Sequence, residues 1–426
     1  MYEKYATLVI FVLAYLLFVV LPSRRPFVAG GAAVVLMVLG VAAPRAALLE
    51  YINWNVLGIF WGSAVVAELL MVSKMPGYVA ERVVARCPTV SSAMLVVCLF
   101  TGFLSAFVEN VATVLIIAPI ALAMADKMKV SPVPFLVALA VSANLQGTAT
   151  LIGDPPSMIL AGAARMTFND FFFFMGRPGI FFVVQIGAVV SFGVLYLFFR
   201  RYRQPAEALV QEKVETWVPT WMLVTMIIAL ACSSFFDPEF RWAAGTICTA
   251  YGIGGLLWHR VKFRAGTLNI FKGIDWRTML FLGGVFIIVE CLTSVGWIDT
   301  VAAGVSRAVG SRYLASFCVI VALSVLLSAF IDNVPYLIAT IPLVQRVAAD
   351  TGAQPHVLYA LLFGLLIGAC LGGNITPIGA SANIVVAGML DRRGYPVSFK
   401  EFGKIGLPFT LAATTAAGVF IWVVWG

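Results

Sequence analysis

Residues 104–111 read Leu-Ser-Ala-Phe-Val-Glu-Asn-Val, and residues 327–334 read Leu-Ser-Ala-Phe-Ile-Asp-Asn-Val. Each copy places a carboxylate beside an amide within an apolar run, and a proline follows each copy, at Pro119 and Pro342. An ionised acid near the middle of a bilayer costs roughly 2.5–3.5 kcal/mol on insertion scales, so such acids are rare and functional. The duplicated motif is typical of a transporter built from two related repeats.

The composition indicates a polytopic membrane protein. The chain is 62% hydrophobic and 11% charged, whereas a soluble protein carries roughly a quarter charged residues. Several apolar runs approach the roughly 20 residues that cross the hydrocarbon layer of a bilayer. The first run lacks a cleavage pattern of small residues, so we predict a transmembrane helix there and not a signal peptide.

The apolar runs fall into two sets, which a polar connector separates. We predict a first repeat over residues 1–199, a linker over 200–217 and a second repeat over 218–426. The duplication extends beyond the opening motif, because further positions pair at nearly constant spacing: Trp54 with Trp276, Glu68 with Glu290, and residues 147–153 with 373–379.

Basic residues in short connectors predict the orientation in the cell inner (plasma) membrane. The positive-inside rule places the linker in the cytoplasm and the N-terminus outside. The first repeat then starts outside and the second starts inside, so the two repeats are inverted. The residues that support this orientation are Arg24, Arg25, Lys74, Arg82, Arg86, Arg200, Arg201 and Arg203.

The span count requires two hairpins and two broken helices. Residues 91–126 and 313–349 each enter and leave on one face, with the acid–amide pair at the tip. Residues 134–165 and 357–390 each contain a break rich in glycine and polar residues, which is tolerated at membrane depth where it lines a cavity. We therefore predict an all-α polytopic fold of two inverted repeats, each with a re-entrant helical hairpin and a broken transmembrane helix.

The tips and breaks supply the candidate site residues. Their amides, hydroxyls and glycines offer ligands or close backbone approach, although the same groups also suit helix caps and contacts between helices. We predict as substrate-binding residues Asn110, Asn144, Gly147, Thr148, Thr150, Asn333, Asn374, Thr376, Gly379, Ser381 and Asn383. We predict as proton- or ion-coupling acids Glu109, Asp154, Asp332, Glu68 and Glu290, the last two having a structural role as their alternative.

Three stretches resemble the ion transporter superfamily, namely residues 104–113, 147–156 and 372–383. Within it they look most like the ArsB/NhaD permeases and their P-protein branch. This resemblance implies an inverted-repeat transporter whose hairpins and broken helices move, elevator fashion, against a dimerising scaffold, as in the related dicarboxylate carriers. It also implies a site between the two breaks, closed by the tips. The chain departs from the usual pattern at Glu109, where relatives carry Asp, and at Ser157, where they often carry Asn.

The acidic midplane favours protons, cations or a neutral hydroxylated solute over a dianion or trianion. The leading hypothesis is a proton-coupled antiporter that exports arsenite or antimonite, because neutral arsenite suits amides and hydroxyls. Sodium–proton exchange is one alternative. Another is sodium- or proton-coupled transport of a dicarboxylate- or citrate-like anion, which requires half-helix N-termini without nearby acids to face the site.

Other function classes lack support in the sequence. The chain contains no His-Glu-x-x-His motif, no Gly-x-Ser-x-Gly elbow and no nucleotide-binding loop, so we expect no enzyme activity. The seven cysteines and two histidines are scattered, and we expect no metal site and no cofactor. Paired hairpins argue for a closed midplane site and against a channel. The net charge of +8 does not indicate nucleic acid, and the sequence leaves open a homodimer and a cytoplasmic ATPase subunit.

Overall fold

The protein is an all-helical, multi-pass membrane protein. Eight helices of the described chain are long and apolar enough to cross a membrane. The middle of the predicted linker, residues 206–212, lies outside the described residues. The computed structural model describes residues 2–205, 213–263, 267–310 and 312–426.

Ten helices precede the linker. A π-helical turn at Ala47–Tyr51 leads into the fourth helix, and a two-stranded antiparallel ribbon, β1 (Phe173–Phe174) with β2 (Arg177–Pro178), precedes the tenth. Short 3₁₀ turns lie at Pro22–Arg24 and Asn169–Phe171. The ten helices are α1 (Tyr2–Val20), α2 (Arg25–Val38), α3 (Pro44–Ala46), α4 (Trp54–Val72), α5 (Met75–Val84), α6 (Val90–Ser105), α7 (Asn110–Met128), α8 (Val133–Gly147), α9 (Pro155–Ala164) and α10 (Ile180–Phe199).

Ten helices also follow the linker, in the same order of long and short elements. A 3₁₀ turn, Gly373–Ile375, lies within this half. The helices are α11 (Val218–Phe236), α12 (Ala243–Phe263), α13 (Leu268–Gly273), α14 (Trp276–Ser294), α15 (Trp297–Val309), α16 (Tyr313–Ser328), α17 (Asn333–Asp350), α18 (Pro355–Gly372), α19 (Ser381–Asp391) and α20 (Phe399–Trp425).

The two halves pack with exchanged partners. Helix α4 packs along α12, and α14 packs along α2. Likewise α7 lies against α19 while α17 lies against α9, and α10 packs on α20. Within each half, α6 contacts α8 and α16 contacts α18. Because these contacts cross between the halves, both halves contribute to one hydrophobic core.

Acidic caps begin the helices that follow the two motifs. The Glu109 side chain accepts a hydrogen bond from the Ala112 N–H at 3.0 Å, at the start of α7. The Asp332 side chain accepts one from the Val334 N–H at 3.1 Å, at the start of α17. These bonds satisfy donors that lack a partner within the first helical turn. At each acid–amide pair one helix ends and the next begins, between Ser105 and Asn110 and between Ser328 and Asn333, whereas the re-entrant hairpins stay a prediction.

Both predicted helix breaks are present. Helix α8 ends at Gly147 and α9 begins at Pro155. Helix α18 ends at Gly372 and α19 begins at Ser381. Proline is favoured at the first position of a helix because it has no N–H to leave unpaired, which explains the restart at Pro155. The breaks leave short non-helical segments inside the packed helices.

Candidate functional site

Five helix starts converge on one cavity of about 180 Å³. They are the N-termini of α7, α9, α14, α17 and α19, and helix α4 lines a further side. A helix N-terminus carries partial positive charge and free N–H groups, so this convergence favours anions and acidic side chains. The polar residues that line the cavity are Glu68, Glu109, Asn110, Asn144, Asp154, Asp275, Thr278, Asp332, Asn333 and Ser381.

The starts of α9 and α19 differ although they follow equivalent breaks. Asp154 precedes α9, and the prolines at 155–156 leave its first two positions without an N–H. Ala380 precedes α19, and no side chain caps that helix. In the described structure nothing accepts a hydrogen bond from the N–H of Ser381 or Ala382. Of the five converging helix starts, that of α19 has neither an acidic cap nor prolines at its first two positions.

One of the predicted acids has a basic partner. The Arg25 Nη1 lies 2.8 Å from the Asp332 Oδ2, and its Nε donates to the Phe18 carbonyl at 2.9 Å. The two side chains are 15% and 19% exposed. The sequence predicts Arg25 only as an orientation charge and predicts few basic groups near the acids. The structure corrects this expectation, because the turn between α1 and α2 contacts the tip between α16 and α17.

Glu109 differs from Asp332 in this respect. Within the described residues, no lysine, arginine or histidine forms an ion pair with Glu109 or Asp154. Both acids line the cavity. The repeat-related acids Glu109 and Asp332 therefore have different electrostatic surroundings, which the motif itself does not reveal.

Asp275 is a cavity residue that the sequence analysis did not predict. Its carboxylate caps α14 by accepting hydrogen bonds from the Thr278 N–H at 3.0 Å and the Thr278 hydroxyl at 2.6 Å. The sequence could have indicated Asp275, because this residue directly precedes Trp276, which pairs with Trp54 in the repeat. Glu68 lies on the same side of the cavity, beside Gly273.

Glu290 is not brought into this cavity. It lines a second cavity of about 470 Å³ together with Asn53, Glu50 and Arg241. Asn53 caps α4 by accepting from the Val56 N–H at 3.1 Å, as Asp275 caps α14. Glu68 with Glu290 and Asp275 with Asn53 are thus pairs of corresponding sequence positions whose members line different cavities.

Three of the predicted binding amides bond to one another. The Asn144 Nδ2 donates to the Asn374 Oδ1 at 2.8 Å and to the Asn383 Oδ1 at 2.9 Å. The Asn383 Nδ2 in turn donates to the carbonyls of Gly373 and Thr376, both at 2.9 Å. This buried network joins the first break to the second across the two halves. It uses the side-chain N–H groups of Asn144 and Asn383, whereas the Asn374 Nδ2 has no partner among the described residues.

The predicted threonines connect breaks to hairpin turns. The Thr150 hydroxyl donates to the Ala106 carbonyl, and the Thr376 hydroxyl donates to the Ala329 carbonyl at 2.5 Å. These are equivalent contacts in the two halves, each between a break and the end of α6 or α16. The Thr148 hydroxyl donates to the Asn144 carbonyl at 3.2 Å. The three hydroxyls therefore act within the protein in this state.

Gly147 and Gly379 permit close approach inside the site. A Cβ on Gly147 would lie 2.1 Å from the Asn110 Oδ1, which also accepts from the Ser105 hydroxyl at 2.6 Å. A Cβ on Gly379 would lie 2.5 Å from the Gly373 carbonyl oxygen. Each glycine lets two segments of the protein touch. Of the predicted binding residues, Asn110, Asn144, Asn333 and Ser381 line the cavity.

Comparison with known proteins identifies the family. The sequence matches CitMHS, described as citrate transporter, over residues 15–364. The chain belongs to the CitMHS family. Two uncharacterized transporters of Mycobacterium tuberculosis strain H37Rv are similar to it, one 29% identical over 97% of both chains and one 30% identical over 87% of this chain and 86% of its own. The CitMHS chain is a transporter and not an enzyme.

More distant relatives agree with this placement. The P protein of Homo sapiens is 24% identical over 92% of the CitMHS chain, which spans 56% of that longer protein. The crystal structure of the YdaH transporter of Alcanivorax borkumensis shares the fold, with a TM-score of 0.63, 15% identity and coverage of 99% and 98% of the two chains. The predicted likeness to the ion transporter superfamily is thus supported through the CitMHS family. The narrower placement among the ArsB permeases stays a prediction.

Proposed function

We propose that this protein is a cation-coupled secondary transporter of a small carboxylate anion of the citrate class. One observation carries the proposal. Five helix starts meet at one cavity, and that of α19 offers two unpaired N–H groups with no acidic cap and no leading prolines. The family match, described as citrate transporter, supports the same substrate class.

The start of α19 has the chemistry to hold a carboxylate. The N–H groups of Ser381 and Ala382 and the Ser381 hydroxyl are available at the cavity wall. The positive end of the helix dipole adds an attraction that strengthens as water is excluded. Half-helix N-termini that point at an anionic substrate are a recurring device of secondary transporters.

The acids of the cavity support coupling of the anion to cations. Glu68, Glu109, Asp154, Asp275 and Asp332 face the cavity, and the ion pair with Arg25 offsets one of them. An unaccompanied trianion would meet strong repulsion in this low-dielectric space. Protons or sodium ions at Glu109 and Asp154, which lack a basic partner among the described residues, would remove that repulsion. The coupling cations and the substrate anion would then bind at one site.

The metalloid hypothesis loses some of its expected binding groups in this geometry. A neutral trihydroxide was expected to use amides and hydroxyls, but the Asn144 and Asn383 N–H groups and the hydroxyls of Thr148, Thr150 and Thr376 bond within the protein. Export of arsenite or antimonite therefore becomes a competing outcome of the transport assay, as does sodium–proton exchange.

We propose alternating access through the two equivalent cavities. Glu68 and Asp275 line the first cavity, and the counterparts Glu290 and Asn53 line the second. Inverted repeats over residues 1–199 and 218–426, each with a re-entrant hairpin, would place these cavities on opposite membrane faces. An elevator movement of the hairpins and broken helices would then expose the site first through one cavity and then through the other.

The decisive experiment measures uptake of radiolabelled citrate into liposomes that contain the purified protein, under imposed sodium or proton gradients. Ala380→Asp places an acid where α9 has Asp154 and directly opposes an anion at the start of α19. We expect it to lower citrate uptake about tenfold or more, equivalent to roughly 1.4 kcal/mol. Ala380→Gly, which adds neither a charge nor a side chain that could cap the N–H groups, is the matched control and should transport as the wild type does.

The competing substrates are tested in the same type of vesicle. Arsenite, antimonite and sodium are added to vesicles that hold a proton gradient and a pH-sensitive dye. If the wild type ignores citrate but one of these solutes discharges the gradient, the carboxylate assignment is wrong. If Ala380→Asp transports citrate normally, the anion does not bind at α19.

A further inference from the structure

The two hairpins differ in how their arms pack. Helices α6 and α7 contact each other along the first hairpin, but α16 and α17 make few direct contacts with each other. A cavity of about 490 Å³ lies between them. Two tyrosines bridge the gap at its ends, because the Tyr313 hydroxyl donates to the Thr351 carbonyl at 2.9 Å and the Tyr336 hydroxyl bonds to the Ser324 hydroxyl at 2.9 Å. We call this space the arm cleft.

The walls of the arm cleft are effectively hydrocarbon. Its serine and threonine hydroxyls bond to carbonyls of their own helices, as when the Thr340 hydroxyl donates to the Tyr336 carbonyl at 2.7 Å and the Ser316 hydroxyl to the Arg312 carbonyl at 2.9 Å. These hydroxyl protons are therefore not available to a polar solute. The remaining walls are aliphatic and include Val319, Ile320, Leu323, Val344, Leu361 and Leu365.

The arm cleft is open along one side. Val319, Leu323 and Leu327 on α16 line it and are 54%, 49% and 41% exposed. The lining residues of α16 extend from Tyr313 to Leu327, about 20 Å of helix. One leaflet of a bilayer contributes roughly 15 Å of hydrocarbon, so the cleft has the length of one acyl chain.

A single charged group lines the cleft, at the end where α16 begins. Arg312 is exposed, and its guanidinium forms no ion pair with any residue of the described chain. An arginine next to an acyl-chain cleft matches the chemistry of an anionic phospholipid, whose phosphate accepts several hydrogen bonds from a guanidinium. We propose that the arm cleft binds one anionic phospholipid, with an acyl chain between α16 and α17 and its phosphate on Arg312.

Such a lipid would act on the hairpin and not on the substrate. The tip between α16 and α17 carries Asp332, which lines the transport cavity. An acyl chain that holds the arms apart stabilises the splayed hairpin and so the position of that tip. This proposal stands independently of which solute the protein carries.

The first test uses the unmodified protein. A phosphatidylglycerol with a photoactivatable acyl chain is incorporated into phosphatidylcholine vesicles with the protein, and crosslinked peptides are identified by mass spectrometry. We expect labelling on α16 and α17 in preference to α6 and α7. Equal labelling of both hairpins, or none on α16 and α17, overturns the proposal.

The second test compares matched variants by native mass spectrometry after reconstitution in equal parts phosphatidylglycerol and phosphatidylcholine. Arg312→Gln should lower the preference for phosphatidylglycerol about fivefold, as expected for one arginine at an anionic lipid. Arg307→Gln, which removes a charge outside the cleft, should not. Leu323→Trp fills the cleft and should lose the retained lipid, whereas Leu326→Trp, exposed on the same helix outside the cleft, should keep it.

Two comparisons distinguish this lipid from other occupants of the arm cleft. If Arg307→Gln lowers the preference as much as Arg312→Gln does, the lipid binds by general surface charge and the site is not the arm cleft. If Leu323→Cys chains form a disulfide-linked dimer in the membrane and exclude the photolipid, a second copy of the chain fills the cleft and the lipid assignment fails.

Discussion

The ion pair between Arg25 and Asp332 offers the sharpest test of the electrostatics of the site. At the observed 2.8 Å, two unit charges attract by about 6 kcal/mol at an effective dielectric constant of 20. Desolvation of both groups offsets most of this attraction, and the pair retains 15% and 19% exposure. We therefore expect loss of one partner to cost about 2–3 kcal/mol, below the range for fully buried pairs.

The two single variants should not be equivalent. Arg25→Gln leaves the Asp332 carboxylate uncompensated in a cavity that also contains Glu109 and Asp154. Asp332→Asn leaves Arg25 near those same acids and keeps an oxygen that can accept from the Val334 N–H. Arg25→Gln should consequently be the more destabilising change.

A double-mutant cycle measures the coupling. Unfolding of the wild type, both single variants and Arg25→Gln/Asp332→Asn is followed by tryptophan fluorescence in mixed micelles with increasing denaturing detergent. We expect the double variant to recover about 2 kcal/mol relative to the sum of the single losses. Strictly additive losses, or a larger loss for Asp332→Asn than for Arg25→Gln, would refute the reasoning.

Three further variants test the contacts around the site. Asn144→Ala removes both hydrogen bonds to the amides of the second break and should cost about 2–3 kcal/mol of unfolding free energy, measured in the same micelles. Asn144→Asp is the comparison variant that keeps the shape of the side chain. Gly147→Ala introduces a Cβ 2.1 Å from the Asn110 Oδ1 and should abolish citrate uptake while surface expression persists, whereas Gly31→Ala, with open space around it, should be neutral. Asp237 lies in the loop after α11, where burial opposes its ionisation but the N–H groups of the following residues bond to it, and the net effect lowers its pKa. Asp237→Asn should therefore lower the thermal midpoint by a margin that is full at neutral pH, where the carboxylate is charged in both states. The margin should shrink as the pH falls from about 4 through the lowered native pKa.

Local sequence patterns predicted where the helices at the site begin and end. The repeated acid–amide pairs predicted the turns before α7 and α17, because a carboxylate at that position satisfies the unpaired N–H groups of the next helix. The proline pair at 155–156 predicted the restart of α9 for the same local reason. The apolar composition predicted a multi-pass membrane protein, and the duplicated motifs predicted two related halves.

The roles of the side chains depended on contacts between distant parts of the chain. Residues 25 and 332 meet because the turn between α1 and α2 packs against a hairpin tip of the other half, and no local spacing encodes that contact. Asn144 bonds to Asn374 and Asn383 for the same reason, which turns predicted ligands into a network within the protein. Glu68 and Glu290 are equivalent in sequence, yet they line different cavities.

Hydropathy, capping and backbone chemistry within a few residues were enough to predict the membrane class, the capped helix starts after the two acid–amide pairs and the positions of the breaks. Which helix starts meet at one cavity, and that the start of α19 meets the others with its N–H groups unpaired, follows from the packing of the two halves. Helix dipoles and buried charges act through space, so their sum at the site is a property of how the two halves pack.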